Sequence, residues 1–535
     1  MRRPFFSRPR LANIAWPVVL VLFFSFTSHG QSGSGSTTTE AGTSRARSAE
    51  ERTARHFESL RKSPPQQLAF LLKMPKGGDL HSHLSGSIYA ESYIKWAAEN
   101  GLCVNNQTFA LVVPAPKTTC DPKSDQPPAS TALTNSVLYR QMIDAWSMRN
   151  WQLSGQSGHD HFFDAFGKFG PATYNQTGRM IADAASRAAR GHVTYLELML
   201  TPDGVMSSQI GQKVGWDGNV ESTLAKLRSN GITDAATAAV KALQDAETQK
   251  NQLLKCGTAQ ADAGCSVTIR YVSQVSRGSS LGAVFAQMVT GFALANDPNS
   301  KVVALNLVQG EDGLASMQNF PIHMQMLNSL RPLYPQARLT LHAGELAPGL
   351  VPPDGLTFHI RESVLTARAD RIGHGVDIMH EDRPYELLQE MARRKVMVEI
   401  CLSSNDLILG VSGSQHPLAT YLQYGVPVAL ATDDEGVSRS EMSREFLKAA
   451  QEQGLGYVQL KMMARNSLQY AFIAGGTLWS GEGKGGKIVP VTQCVQDIGQ
   501  MKLTSAGCRQ YIASSEKAKL QWQLEEDFAA FERGH

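Results

Sequence analysis

Long blocks of like charge, internal repeats and apolar stretches of bilayer length are all missing from the 535-residue sequence. Lysine and arginine number 51 against 48 acidic residues, and setting aside Arg2, Arg3, Arg8 and Arg10 takes the formal charge from +3 to −1. A near-neutral chain of this kind offers no electrostatic footprint for a nucleic-acid backbone, so no nucleic-acid partner is expected. No cysteine precedes Cys103, so a lipid-anchored bacterial lipoprotein is not supported. Hydrophobic residues at 42% and charged residues at 19% are enough to bury a core.

The four early arginines precede an uncharged apolar stretch from Leu11 to about Phe26, followed by Ser28-His-Gly. That order is the layout of a secretory signal. Its densest run, 16–26, is short of the roughly 20 residues a membrane span needs. A signal peptide over 1–30 is expected, giving a secreted or, in a bacterium, periplasmic protein with no stable membrane association after cleavage. Residues 31–47, rich in Gly, Ser and Thr, read as a flexible linker. The seven cysteines fall as Cys103 with Cys120, Cys256 with Cys265, Cys494 with Cys508, and Cys401 alone. Export permits disulfides. Short loops close most easily, so pairing of sequence neighbours is the expectation among fifteen connectivities. Cys401, inside an apolar run, reads as a small buried hydrophobe.

Residues 48–73 form an amphipathic helical extension broken near Pro64-Pro65. Eight short β-rich runs then recur, at 79–83, 192–200, 267–275, 302–308, 338–342, 371–374, 396–402 and 426–432. Helical stretches lie between them, among them 88–99, 179–190, 220–253 with a break at Gly231, 362–367, 384–394 and 441–450. An open doubly wound sheet would alternate in the same way. The polar residues favour an α/β fold of the (β/α)8 TIM-barrel type, because His81, His83, His342, His374 and Asp433 fall at the carboxyl ends of the first, fifth, sixth and eighth runs, which only a closed barrel brings to one rim. The barrel is expected over 74–475 with an insertion at 101–135. A C-terminal extension follows over 476–535, with a Gly-rich loop and a final helix at 515–532.

On a strand, His81 and His83 point to one side and can grip one cation; on a helix they would be about 200 degrees apart. A His-x-His alone says little. It is joined by Leu341-His342-Ala-Gly-Glu345, Arg371-Ile-Gly-His374-Gly and Ala431-Thr-Asp433-Asp434. Three imidazoles and a carboxylate suit a zinc that keeps one position for water. With the Met74-Pro-Lys-Gly-Gly lead and the Ile400-Cys-Leu-Ser-Ser-Asn405 segment, the chain resembles the adenosine deaminase family of metal-dependent amidohydrolases. Within that family it is most similar to the secreted branch, the adenosine deaminase-related growth factors.

The resemblance implies one zinc per chain, held by His81, His83, His342 and Asp433. It also implies that His374 orients or deprotonates the attacking water, Glu345 protonates the purine ring, and Asp434 bonds the imidazole-ring nitrogen of a purine nucleoside. Substrate contacts are expected from Ser85, Gln309, Gly310 and Phe162. Ser85 stands where many relatives carry the aspartate that meets the sugar, and Gln309-Gly310 stand where a backbone N–H meets the purine. The implied reaction is hydrolysis of adenosine or 2′-deoxyadenosine to the inosine product and ammonia. The alternative readings are the same chemistry on adenine, AMP or an N6-modified adenosine, or an extracellular binding or signalling role for the same fold. The helix ahead of the barrel resembles one used for homodimer contacts in the secreted branch. A second pair, His159-Asp-His161, has no downstream partners of its own and is not read as a metal site.

Overall fold

Eight parallel strands follow one another around a barrel in the computed structural model, which describes residues 48–482 and 488–535. They are β1 (Gly77–His83), β2 (Val193–Leu200), β3 (Thr268–Ser276), β4 (Val302–Val308), β5 (Arg338–Ala343), β6 (Arg371–His374), β7 (Met397–Ile400) and β8 (Val428–Leu430). Each pairs in parallel with its sequence neighbour. Between β8 and β1 there is no ladder; the seam is closed by a single bridge, in which His83 N–H donates to Asp433 O (3.1 Å) and Asp433 N–H to His81 O (2.8 Å). Leu80, Leu196, Leu198, Leu339, Leu341 and Ile372 are among the strand residues buried in the core.

Two runs are shorter than expected. The seventh stops at Ile400, because Asn405 N–H turns back to Cys401 O and Leu402–Leu409 winds as a helix. The eighth begins at Val428, because Val426 N–H closes the preceding helical end on Tyr421 O. The expected break at Gly231 is present: at φ 89° it separates the helices Val220–Ser229 and Ile232–Leu253.

The first two helices, Ala49–Ser59 and Pro64–Leu71, pack beside Tyr457–Gln469 and the last helix, Glu516–Arg533. Phe70 lies edge-on to Tyr457 and Phe531, and Lys461 pairs with Glu50 (2.7 Å) and Glu532 (2.5 Å). Disulfides join Cys103 to Cys120, Cys256 to Cys265 and Cys494 to Cys508, leaving Cys401 free and buried. The expected leader and linker, 1–47, lie outside the described residues. Among the described residues no helix is long and apolar enough to cross a membrane.

Candidate active site

The carboxyl ends of the strands bring the expected ligands together. One donor atom each from His81, His83, His342 and Asp433 lies within 4.8 Å of the others. The Nε2 atoms of His81 and His83 stand 3.1 and 3.2 Å from His342 Nε2, and 3.5 and 3.4 Å from Asp433 Oδ1.

Neighbouring side chains fix which nitrogen faces inward. His81 Nδ1 donates to Glu399 Oε2 at 2.6 Å, and Glu399 is held by Arg371 Nε and by Thr340 Oγ1, both at 2.6 Å. His342 Nδ1 donates to Asn306 Oδ1 at 2.8 Å, an oxygen that also accepts the His342 backbone N–H at 2.8 Å. With both Nδ1 protons committed, two Nε2 lone pairs face each other across 3.1 Å. That arrangement is repulsive unless a positive charge lies between them, and four donors aimed at one point are more than a proton can serve. The donor set fits a divalent cation with imidazole and carboxylate ligands. Ser404 Oγ donates to Asp433 Oδ2 at 2.6 Å and turns Oδ1 toward the histidines. At His83, Nδ1 lies 2.7 Å from the Gln274 amide group.

A cavity of about 660 Å³ opens above these donors. Ser85, Phe162, Gln309, Gly310, Glu345 and Asp434 all line it, so every expected substrate contact faces one space. Phe162, Phe163 and Phe166 come from the helix Gly158–Phe169, which His159 ties to Asp312 beyond β4 (Nε2 to Oδ1, 3.1 Å). The other histidine of that pair, His161, has its Nε2 on the backbone oxygens of Asp144 and Ser147, both at 3.0 Å. Among the described residues the cavity wall has no lysine or arginine.

Glu345 is positioned by a carboxylate beneath it. Glu311 accepts the Gly344 N–H (3.0 Å), the Glu345 N–H (2.9 Å) and His359 Nδ1 (2.6 Å). Burial alone would push Glu311 up, but the charge and hydrogen bond of His359, with Arg277, hold it down to about 2. Burial raises the Glu345 carboxyl to about 8, helped by the charges of Asp433 and Glu311. Burial, then Asp433, also raises Asp434 well above the usual carboxylate range. His374 ends β6 at φ 68°; Asn405 Nδ2 lies 3.0 Å and Glu345 Oε1 3.6 Å from its Nδ1. His374 Nε2 and Asp434 Oδ1 are buried with no protein partner among the described residues. Both are polar atoms that a bound molecule would satisfy.

The residues missed from sequence were those behind the ligands: Asn306, Glu399, Gln274, Ser404 and Glu311. A signal was present. Asn306 interrupts Val-Val-Ala-Leu-Asn-Leu-Val and Glu399 interrupts Val-Met-Val-Glu-Ile, and a polar group inside an apolar strand needs a buried partner.

A family model described as adenosine deaminase matches residues 171–476. The chain belongs to the adenosine deaminase family. An adenosine deaminase of Yersinia pseudotuberculosis is 39% identical over 138 residues, a stretch that takes in 26% of this chain and only 38% of that relative. One of Salmonella heidelberg is 25% identical over 399 residues, covering 74% of this chain and 94% of the relative. Among solved structures, an adenine deaminase from Arthrobacter aurescens has 16% identity and a TM-score of 0.48, covering 75% of this chain and 94% of that one. An amidohydrolase from Burkholderia ambifaria with bound Zn has 18% identity and a TM-score of 0.49, covering 76% and 88%.

Proposed function

We propose that this adenosine deaminase family member carries out hydrolytic deamination of adenosine and 2′-deoxyadenosine, with one zinc per chain on His81, His83, His342 and Asp433. The carrying observation is the meeting of those four donors with Glu345 and Asp434 on the wall of a phenylalanine-lined cavity. A bound divalent cation supplies Lewis acidity that brings the pKa of water from 15.7 to about 7. Around it the protein does the rest. The apolar wall from Phe162 receives the purine face. Glu345 gives its proton to the ring nitrogen beside the amino-bearing carbon, so that attack leaves no charge stranded there. The His374 ring, steadied by Asn405, orients the attacking water and takes up its proton. Asp434 bonds the imidazole-ring nitrogen, and a backbone N–H of Gln309 or Gly310 meets the far edge of the purine. Water is consumed and ammonia leaves, giving inosine or 2′-deoxyinosine.

The absence of lysine and arginine from the described wall supports a nucleoside over a nucleotide, since it offers no guanidinium or ammonium to a phosphate. Ser85, in place of an aspartate, favours the free base as a second reading. A panel of adenosine, 2′-deoxyadenosine, adenine and AMP with the metal-loaded protein, read by loss of adenine absorbance and release of ammonia, decides between them. Absence of turnover with both adenosine and 2′-deoxyadenosine overturns the proposed reaction. Glu345→Gln is expected to abolish turnover while metal content stays at the parent level. Secretion is part of the same proposal, supported by three disulfides that suit an oxidising compartment. So is a homodimer through the helix ahead of the barrel, checked by light scattering.

A further inference from the structure

A second cavity, larger than the first at about 1030 Å³, opens at the other end of the barrel, among the amino ends of β3 to β7. Seven of its lining residues are lysine or arginine and two are aspartate. Part of that charge is already used. Arg270 is paired with Glu516 at 2.5 Å, Arg338 with Asp370 at 3.3 Å, Lys301 with Glu247 at 3.2 Å and Arg394 with Glu390 at 2.5 Å. Lys517 donates to Gln469 O at 3.0 Å. Arg368 and Lys395 are exposed, and among the described residues their side chains have no hydrogen-bond or ion-pair partner.

The ordinary explanation for cations at this end of a barrel is that helix carboxyl termini point there. It serves Arg394 and Lys395, which finish the helix Pro384–Arg394. It does not serve Lys517, which sits in the first turn of Glu516–Arg533, where the helix dipole disfavours a cation. Burial, with smaller contributions from Arg371 and Arg338 against that of Glu197, holds that amine down to about 8. The backbone adds a second oddity. Lys301, Arg368 and Lys395 all occupy left-handed conformations, at φ 57°, 57° and 60°, in turns leading into β4, β6 and β7. Glycine fits such turns at lower conformational cost, yet each carries a cation into the same cavity.

We propose that this cavity binds a small phosphorylated anion, with Arg368 and Lys395 as its principal charged contacts. These two residues lie in the turns before β6 and β7, neighbours whose Arg371 and Met397 are register partners. Strands are about 4.8 Å apart, so one phosphoryl group can meet both side chains. The volume suits a sugar phosphate or free phosphate held within the cavity more than an extended polyanion.

The test is calorimetric titration of the full, metal-loaded chain with inorganic phosphate, fructose 1,6-bisphosphate and unphosphorylated fructose at constant ionic strength. The bisphosphate or phosphate is expected to bind and fructose to give no heat. Tighter binding of the bisphosphate identifies an ester site, and equal binding a free-phosphate site. The double variant Arg368→Glu/Lys395→Glu should weaken binding tenfold or more with an unchanged thermal midpoint in the absence of anion. If that variant fails to fold, Arg368→Gln/Lys395→Gln replaces it with the same expectation. Phosphate and bisphosphate heats no larger than that of fructose, or a folded double variant that binds as the parent does, would overturn the proposal.

Discussion

Gly86 shows how little room the candidate site leaves at the level of one atom. A Cβ there would lie 1.5 Å from Asp434 Oδ1, and the Gly86 carbonyl is fastened by the N–H groups of Gly436 (3.0 Å) and Val437 (3.1 Å). The backbone cannot retreat, so Gly86→Ala displaces Asp434. Turnover is expected to fall by roughly two to three orders of magnitude, as when a preorganised polar contact is lost, while metal content measured by emission spectroscopy stays at the parent level. Retained turnover would mean Asp434 does not touch substrate. This glycine was not singled out from sequence, although the aspartate it serves was. The neighbour of an active group is set by a fold that brings residue 86 to residue 434, and nothing in the local string Leu-Ser-Gly-Ser announces that approach. His81, His83, His342 and Asp433 were legible for the opposite reason: their chemistry is rare at strand ends and their partners could be counted along the chain.

Whole elements are held by single polar side chains at their ends. Lys76 donates to Leu71 O (2.7 Å), Met74 O (2.8 Å) and Gly191 O (2.9 Å), tying the end of the helix Pro64–Leu71 to the end of Thr177–Arg190 just before β1 starts. Lys76→Met would remove all three bonds and leave the Met74 and Gly191 carbonyls without this donor, while Leu71 O keeps the Met74 N–H (3.2 Å), and about 1–3 kcal/mol of stability should be lost. Urea unfolding reads that loss; the KM of the folded fraction should not move. Glu381 caps the helix His359–Leu365 by accepting the N–H groups of Ile360 (2.6 Å) and Arg361 (3.3 Å). Burial raises its carboxyl to about 8. The folded protein therefore keeps a proton between about pH 4.5 and 8 that the unfolded chain releases, so this group's contribution is full below that window and is lost as pH rises through it. Unfolding midpoints of Glu381→Gln across pH 5 to 8 should fall less steeply than those of the parent, by at most about 1.4 kcal/mol per pH unit. Equal slopes would assign the proton elsewhere. Elements with clear periodicity or a capping residue, such as Pro384–Arg394, were readable from sequence. Leu281–Asn296 was harder, because it is buried on nearly every side and its apolar residues trace no stripe. The seventh strand was overextended for a related reason: the apolar run continues past Ile400 while the backbone turns helical.

At the scale of the molecule, alternation and the placement of polar residues carried the closed barrel, because only closure unites the first and eighth strands. The basic cavity was invisible along the chain. Its cations come from six separate segments of a sequence whose overall charge is close to neutral, and they are collected only by the barrel's turns. The seam between β1 and β8 has one bridge where other neighbours have ladders. A cation on His81, His83 and Asp433 would span that gap. Chelation is therefore expected to lower the thermal midpoint, and hydrogen exchange should accelerate at the His83 and Asp433 amides before it does in β3 and β4; exchange that speeds up uniformly would contradict this. A β8 that docks one residue out of step would present the wrong face at position 433 and would fail to capture such an ion. On the proposed function, ion uptake would thereby proofread the last joint of the polypeptide, and a misclosed molecule would be left both catalytically silent and unlocked.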